Sequence, residues 1–326
     1  MAWDSVPWFV GGGAEHSPEV ARLLAYSALN GNEGVLGVGD LKVRALSVPG
    51  AGVRVMPGAC SILNRATGGA FQTYAARLIS EDTVPTTPTG SGGNRSDLVV
   101  ARIEDPTMPG EPWQDPTDAK VGPYVFTRVV PNVPANTRTV AQLGLGYSAI
   151  ALARIDFPPS TGTATDAMIV DLRKVANPRR ERRVLISSPS TADNLTEAAY
   201  RDWPTVAVKS VEVPAWATQV RIITTLSGVV AINNRVDGII RHRFGATFGQ
   251  DTRYDTNSVT TFDALDKTMM TADVLSVPAS YRGTTQAVAV QGAATYRGPA
   301  APFDGTLQAY DATTIVTDIE FVEVPE

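Results

Sequence analysis

The segment Thr314-Ile-Val-Thr-Asp-Ile-Glu-Phe-Val322 shows the alternation that decides the fold. Every second residue from Ile315 to Phe321 can face one side of an extended chain, while Asp318 and Glu320 face the other. Side chains of a strand point alternately to its two faces, so this pattern indicates a strand with one face in a core and one in water.

The same alternation recurs along the chain between turn residues. The 28 Gly and 23 Pro separate short runs of Val, Ile and Thr, which is typical of a β-rich chain with frequent turns. Composition predicts loops at residues 85–93, 105–120 and 245–271. We predict a hairpin over residues 39–55 and strands at 71–79, 98–103, 124–130, 147–155, 206–213, 219–226, 228–232, 286–290 and 314–324.

A short helix is predicted near the start of the chain. Ser17 can cap it, Pro18 suits the first helical position, and Glu19 lies at the positive end of the helix dipole. Asn30 and Gly31 provide a left-handed stop. The expected buried stripe of this helix consists of Val20, Leu23, Leu24 and Ala28.

A second helix, the connector helix, is predicted over residues 165–177. Thr165 or Asp166 can cap its start, and Asn177-Pro178 ends it. A helix this short buries too little surface to be stable alone, so we expect it to pack against another element. The same helix of sister chains is one candidate. Its apolar stripe, the expected oligomerisation surface, consists of Ile169, Leu172, Val175 and Ala176.

These elements predict a mainly β protein. A length of 326 residues suits two folded units, and the Pro-rich residues 157–162 indicate a boundary between them. We predict a β-rich platform domain with a short helix at residues 1–158, a linker with the connector helix at 159–189, and a jelly-roll-like β-sandwich at 190–326.

Charge and composition exclude several functions. A net charge of -5 argues against nucleic acid as the main partner, because that affinity requires a positive field. The single cysteine, Cys60, excludes an intrachain disulfide and is expected to be buried. The first residues lack the pattern of a signal peptide, and no run of about eighteen apolar residues is present, so neither secretion by signal nor membrane insertion is expected.

Three segments resemble minor tail proteins of phages that infect actinobacteria. They are residues 21–57 with Val-Arg-Val-Met-Pro-Gly at the end, residues 94–106 with the sequence Asn-Arg-Ser-Asp-Leu-Val-Val-Ala-Arg-Ile-Glu-Asp-Pro, and residues 150–179. The second is the most specific of them. The resemblance covers the first half of the chain and stops before the second.

The resemblance implies a structural part of the tail tip or baseplate, not an enzyme. In such proteins an N-terminal domain docks to the tail, a helix gathers copies around an axis, and a variable C-terminal domain projects outward. We therefore expect a homotrimer that contacts other tail proteins, is assembled in the host cytoplasm, and belongs to the virion. The bound receptor, for which a host cell-wall glycan is one candidate, is not implied.

Basic residues follow the predicted connector helix and could contact sister subunits. One interpretation is structural: basic side chains are favourable at the negative end of the helix dipole. The other is functional: they pair with carboxylates of a neighbouring copy. The four arginines are Arg179, Arg180, Arg182 and Arg183. Within residues 94–106, Arg95 and Asp97 are expected to form an ion pair at a strand edge.

Signals for chemistry are few, and no cofactor or metal is expected. His16 and His242 stand apart without a second ligand at metal spacing, and His242 is expected to have a structural or surface role. Neither a nucleophile elbow nor a phosphate-binding loop is present. Two alternatives to a structural protein stay open, a carbohydrate-binding module and a glycan depolymerase.

Each alternative has candidate residues in the second half. Hydrolysis of a glycan needs only two placed carboxylates. Trp203, Trp216 and Tyr254 could form a sugar-stacking platform, although core positions at strand ends suit them equally. The carboxylates of the predicted loop are Asp251, Asp255, Asp263 and Asp266.

Overall fold

The computed structural model describes residues 18–115, 117–118, 122–232, 236–256, 265–294 and 305–325. The chain divides into two compact units, residues 1–178 with 325–326 and residues 179–324. The division falls within the predicted linker range 159–189. Both units consist mainly of antiparallel strands, so the predicted mainly β class is confirmed.

The described part of the first unit contains one α-helix and ten strands. They are α1 Pro18–Ala28, β1 Gly34–Val35, β2 Val43–Ala45, β3 Gly52–Val55, β4 Gly58–Leu63, β5 Thr73–Leu78, β6 Asp82–Pro85, β7 Arg95–Ile103, β8 Val125–Val133, β9 Ala149–Phe157 and β10 Ile169–Asp171. The strands form three sheets, ordered β1-β4-β5, β2-β3-β6 and β10-β9-β7-β8. Their inner faces enclose one core that includes Ile62, Val99, Leu152 and Ile155.

Helix α1 ends where its stop signal predicts. It spans Pro18–Ala28, and beyond its end Asn30 and Gly31 adopt the left-handed conformation, whereas the predicted cap Ser17 lies outside the described residues. Of the predicted buried stripe, however, only Val20 is buried, whereas Leu23 and Leu24 are exposed. The contacts of α1 with β5 therefore bury less of the helix than its apolar residues predict. The prediction that Leu23 and Leu24 are buried was wrong.

The predicted connector helix over residues 165–177 does not form. Residues Asp166–Met168 make a single 3₁₀ turn, and Ile169–Asp171 are strand β10, which pairs antiparallel with β9. Of the Pro-rich residues 157–162, Phe157 ends β9 and residues 158–162 belong to the loop between two paired strands of one sheet. A segment as short as residues 165–177 can have apolar residues at helical spacing by chance. Pairing with β9 provides hydrogen-bond partners for its backbone, whereas an isolated helix of this length is not stable in water.

The described part of the second unit contains twelve strands. They are β11 Arg180–Ser187, β12 Asp193–Leu195, β13 Arg201–Asp202, β14 Lys209–Glu212, β15 Gln219–Ile232, β16 Asp237–Phe244, β17 Thr247–Phe248, β18 Thr252–Asp255, β19 Leu265–Ser276, β20 Thr285–Ala294, β21 Thr306–Ala309 and β22 Thr314–Val322.

These strands form the predicted β-sandwich. One sheet has the order β11-β22-β15-β21-β12, with β19 also paired to β15, and the other has β13-β20-β16-β17, with β14 and β18 at its edges. Between the sheets lie two clusters of buried apolar side chains, one around Trp203 and Leu226 and one around Phe244 and Phe321. The alternation in residues 314–322 is reproduced, because Ile315, Ile319 and Phe321 are buried.

Two segments of the second unit differ from the sequence prediction. Residues 219–226 and 228–232 form one strand, because the left-handed Gly228 makes a bulge in β15 without ending its pairing. Residues 245–271, predicted as a loop, contain β17, β18 and the first half of β19. Their Thr and Asp residues suit a half-exposed strand as well as a loop, and pairing with β15 and β16 decides between them.

Candidate assembly surface

The outer face of the first sandwich sheet is formed by four adjacent strands, β11, β22, β15 and β19. Antiparallel register aligns their outward side chains in rows across the sheet. One row contains Val184, Asp318, Ile223 and Ala272. The next contains Ile186, Val316, Thr225 and Met270. We call the part of the face formed by these two rows and Val274 the apolar face.

The apolar face holds five large side chains that are exposed to solvent. Each keeps between 44% and 68% of its surface accessible. They are Val184, Ile186, Ile223, Met270 and Val274. Single exposed apolar residues are normal on a soluble protein, but several of them on adjacent strands of one sheet face are typical of an interaction surface.

Charged side chains lie in and beside the apolar face and are paired within the chain; Asp318 stands between Val184 and Ile223, and Glu320 lies in the next row. Arg182 binds Asp318 through two contacts, Nε to Oδ1 at 2.8 Å and Nη2 to Oδ2 at 2.6 Å. Arg180 and Arg221 approach Glu320 at 3.5 and 3.3 Å. The bonds from Arg182 lower the pKa of Asp318, so this carboxylate stays ionised beside apolar neighbours.

All four arginines of the predicted subunit-contact set have carboxylate partners in their own chain. Arg180, Arg182 and Arg183 stand in strand β11, not at a helix end, and Arg183 pairs with Glu181. Arg179 precedes the strand and binds the buried Glu323 at 2.7 Å, which lowers the pKa of that carboxyl. Contacts with sister subunits stay a prediction for this set.

The edges of this sheet add to its capacity for association. Within the described residues, β11 pairs with β22 only and β19 pairs with β15 only. An edge strand has a row of backbone N–H and C=O groups without ladder partners, which can pair with another chain. The apolar face therefore has an open edge at either end.

Comparisons with known proteins do not identify the chain. No family model matches it, and no curated protein matches it. Among solved structures it is similar to the T=1 particles derived from infectious bursal virus, with a TM-score of 0.26 and 12% identity over 90% of this chain and 72% of that chain.

Two further solved structures show likenesses of the same order. The T13 particle of IBDV has a TM-score of 0.26 and 11% identity over 94% of this chain and 81% of that one. The structure of BuGH86E322Q with neoagarooctaose has a TM-score of 0.24 and 7% identity over 84% and 33%. At these TM-scores, no residue role or activity is transferred from any of them to this chain.

The four residues of the predicted oligomerisation stripe lie inside the first unit. Leu172, Val175 and Ala176 are buried, and Ile169 packs against the main core from β10. Val175 makes a parallel bridge with Val35, and the N–H of Ala176 donates to the carbonyl of Val35. These side chains close the core of their own chain, so the prediction of an intersubunit helix stripe was wrong.

The three aromatic residues do not form a sugar-stacking platform. Trp203 is fully buried in one sandwich cluster, and its indole N–H donates to the carbonyl of Asp193 at 3.0 Å. Trp216 packs against the other cluster with Arg179 over its ring. Tyr254 packs against the first cluster, where burial raises the pKa of its hydroxyl. The core interpretation of Trp203 is confirmed.

A buried polar network around His242 has the order of residues found in hydrolase triads. His242 Nδ1 lies 2.7 Å from Asp273 Oδ2, and its Nε2 lies 3.0 Å from Thr224 Oγ1. Thr224 also shares a 3.1 Å hydrogen bond with Thr317. His242 and Thr224 are 0% exposed, so the network binds one sheet to the other and offers no surface to a substrate.

The charge state of His242 follows from this burial. Desolvation lowers the pKa of the imidazole, although the hydrogen bond to Asp273 acts in the opposite direction. The flanking Arg241 and Arg243 belong to the other face of β16, where Arg243 binds Asp202. The structural role of His242 was thus predicted, and the cause of its lowered pKa is burial.

Other candidates for chemistry are dispersed or enclosed. Cys60 is buried as predicted, and desolvation raises the pKa of its thiol to about 12. Asp251 accepts a hydrogen bond from Tyr200, Asp255 lies in β18 and Asp266 in β19, whereas Asp263 lies outside the described residues. Among the described residues, no group of three His, Cys, Asp or Glu could hold a metal ion, and no helix is long and apolar enough to cross a membrane.

Sequence reasoning missed the residues of the apolar face. Val184, Leu185 and Ile186 are consecutive apolar residues after a basic run, so the sequence does not show which of them face outward. Met270 and Val274 lie in a segment whose Thr and Asp content favoured a loop. Residues 180–187 and 265–276 lack period-two alternation, so only the strand pairing shows that their outward sides share one face.

Proposed function

We propose that this chain is a structural subunit of a phage virion, located in the tail tip or baseplate, that works by assembling with copies of itself and with other tail proteins. The observation that carries the proposal is the apolar face, which leaves Val184, Ile186, Ile223, Met270 and Val274 in water when the chain is alone. The tail assignment follows from the resemblance of residues 94–106 to minor tail proteins.

Association through the apolar face has a physical rationale. Burying a large apolar side chain that is exposed in the monomer contributes about 1.5–3 kcal/mol when burial is complete, and five of them lie together. The charged side chains in and beside it are already paired within the chain, so burying them beside a sister copy leaves no unpaired charge. The expected copy number of three rests on the resemblance alone, because the connector helix does not exist.

No enzymatic role is part of this proposal. The one acid–base–hydroxyl arrangement in the described residues, at Asp273, His242 and Thr224, is closed to solvent. The three described carboxylates of the predicted loop lie in different elements: Asp251 accepts a hydrogen bond from Tyr200, Asp255 lies in β18 and Asp266 lies in β19. Host polysaccharide should therefore stay unchanged on incubation with the purified chain, and its depolymerisation would overturn this part.

Light scattering of the purified chain after size-exclusion chromatography tests the assembly. We expect an oligomer of the wild-type chain and a monomer when Ile186→Lys and Ile223→Lys are combined, since both lysines would be buried in the interface. Val48→Lys is the matched control, because Val48 is a highly exposed apolar residue of the first unit and does not belong to the apolar face. A wild-type monomer at high concentration would contradict the proposal.

The tail assignment needs a separate test. A density map of the intact virion should place this chain at the tail tip, around the tail axis. Placement in the capsid shell would retain the assembly proposal and remove the tail assignment.

A further inference from the structure

A cleft in the first unit is bordered by three sheets and has largely apolar walls. Its volume is about 570 Å³, within the range of about 300–1,000 Å³ of pockets that enclose a ligand. The apolar walls include Leu41, Cys60, Leu78, Val84 and Leu152. The cleft is therefore large enough to hold several side chains of a bound molecule.

Three strands meet this cleft with their edges. Residues 76–78 of β5, 82–85 of β6 and 125–129 of β8 line it. Neighbouring side chains of a strand point to opposite faces, so a wall made by one face of a strand is lined by every second residue. Lining by consecutive residues indicates that the backbone edges of these strands border the cleft.

These edges have backbone groups that can bind an added strand. In the described part of the chain each of the three strands pairs with one neighbour only, β5 with β4, β6 with β3 and β8 with β7. The outer edge of such a strand has N–H and C=O groups without ladder partners, and an extended peptide supplies the matching groups. The backbone therefore favours an extended peptide as the ligand.

Asp82 gives the inner side of the cleft a negative charge. It is paired with Val55, which is fully buried in the core. Paired residues of antiparallel strands have their side chains on the same face of the sheet, so the carboxylate of Asp82 lies on the core side of β6. Among the described residues, this carboxylate has no ion-pair partner. A carboxylate beside apolar walls is stabilised by a cationic neighbour.

The two arginines that border the cleft do not supply this cation. Arg128 binds Glu104 and Asp115, each at 2.7 Å. Arg77 is exposed and follows Ala76, which packs against the core, so the side chain of Arg77 lies on the outer face of β5. The charge inside the cleft is therefore negative and favours a basic group on the ligand.

We propose that this cleft binds an extended segment of a second polypeptide, added as a strand along β8. The inward side chains of the bound segment are apolar, except for one lysine or arginine beside Asp82. Strand β8 is the expected neighbour because it contributes the longest stretch of consecutive residues to the cleft. This proposal is independent of the assembly through the apolar face.

Affinity selection from random peptides of about nine residues, the length of β8, tests the proposal with the full-length chain. Enriched peptides should alternate apolar with polar residues and have Lys or Arg at one inward position. The Asp82→Lys variant should instead enrich Asp or Glu at that position. It should bind the best wild-type peptide at least about tenfold more weakly, because a charge-assisted contact is replaced by repulsion.

A pair of neighbouring alanines provides the matched control. Ala76→Phe places a ring in the cleft and should abolish peptide binding, whereas Ala75→Phe places the same ring on the exposed face of β5 and should leave binding unchanged. Far-ultraviolet circular dichroism of both variants should match that of the wild type. If Ala76→Phe does not fold, the charge reversal at Asp82 still decides the outcome.

Methylated peptides test the backbone part of the proposal. The best peptide is synthesised in two forms, with N-methyl groups on one or the other alternate set of backbone nitrogens. One form should bind at least about tenfold more weakly, because its methyl groups replace the N–H donors that pair with β8.

Three outcomes would overturn the proposal. Selection without enrichment over the Ala76→Phe variant would mean that the cleft takes no peptide. The same preference for basic residues in the wild type and in Asp82→Lys would place the peptide elsewhere. Unchanged affinity of both methylated forms would show that the cleft accepts apolar cations through their side chains and adds no strand.

Discussion

His242 on β16 and Asp273 on β19 form a 2.7 Å contact that joins the two sheets of the second unit. Asp273 Oδ1 also accepts the N–H of Gln250, and the N–H of Gly249 donates to the carbonyl of His242. One carboxylate thus holds the imidazole and the turn after β17 together. Because the pair is enclosed, its protonation is linked to the stability of the sandwich.

Acid should destabilise the second unit before the carboxylates titrate. Burial lowers the pKa of His242 below 6.5, so below that pH the unfolded chain binds a proton that the folded chain does not. The free energy of unfolding should therefore fall as the pH falls from about 6.5 to about 5, by at most about 1.4 kcal/mol per pH unit. Urea unfolding at several pH values measures this slope. His242→Gln is the control and should flatten it, whereas equal slopes would contradict the linkage.

Gly249→Ala should disturb the same pair. A Cβ at this position would lie 2.1 Å from Asp273 Oδ2, so either the carboxylate or the turn must move. Losing a buried, charge-assisted hydrogen bond costs about 1.5–3 kcal/mol, and we expect a loss of that order in urea unfolding. Gly146→Ala should be neutral by comparison, because its added Cβ meets nothing within 4 Å. An unchanged free energy of unfolding for Gly249→Ala would show that Asp273 is free to move.

Arg95→Ala should be among the costly substitutions in the first unit. Arg95 binds Asp97 through two contacts of 2.8 Å, and Asp97, which is 1% exposed, also accepts the N–H of Asn132. Removing the cation leaves a buried carboxylate without its charged partner, at a cost of about 3 kcal/mol.

The control for this ion pair is an exposed one. Arg44→Ala breaks the 3.8 Å contact with Asp166, and both side chains there are largely exposed, so we expect a cost of about 0–1 kcal/mol. Chemical denaturation of both variants gives the comparison. Similar costs would mean that Asp97 is compensated by water.

Trp203→Ala should act on stability and leave glycan binding unaffected. The side chain is fully buried against Leu195 and Val290, and such truncations cost about 3–5 kcal/mol. Trp203→Phe should cost less, since it retains most of the packing and loses the bond to the Asp193 carbonyl. Calorimetry of both variants measures the effect. Near-neutral behaviour of Trp203→Ala would argue for a surface role.

Local sequence signals predicted the elements that depend on neighbours along the chain. The left-handed stop after α1, the alternation of β22 and the hairpin at residues 39–55 were reproduced, because each depends on the residues of a single segment. The ion pair of Arg95 and Asp97 was also predicted from spacing. The prediction of the connector helix was wrong because its four apolar residues are compatible with a helix and with an extended chain. Pairing of residues 169–171 with β9, and of Val175 with Val35, stabilises the extended conformation.

The amino-acid sequence by itself determined the β class, the left-handed stop after α1 and the burial of Cys60, since alternation, stop signals and an apolar setting act within a few residues. Only the tertiary structure decided that Val184, Ile223 and Met270 share one outward face and that His242 and Asp273 meet between the two sheets. Those arrangements depend on the order and register of strands far apart in the chain, and a linear pattern specifies which residues can pair but not which strands do.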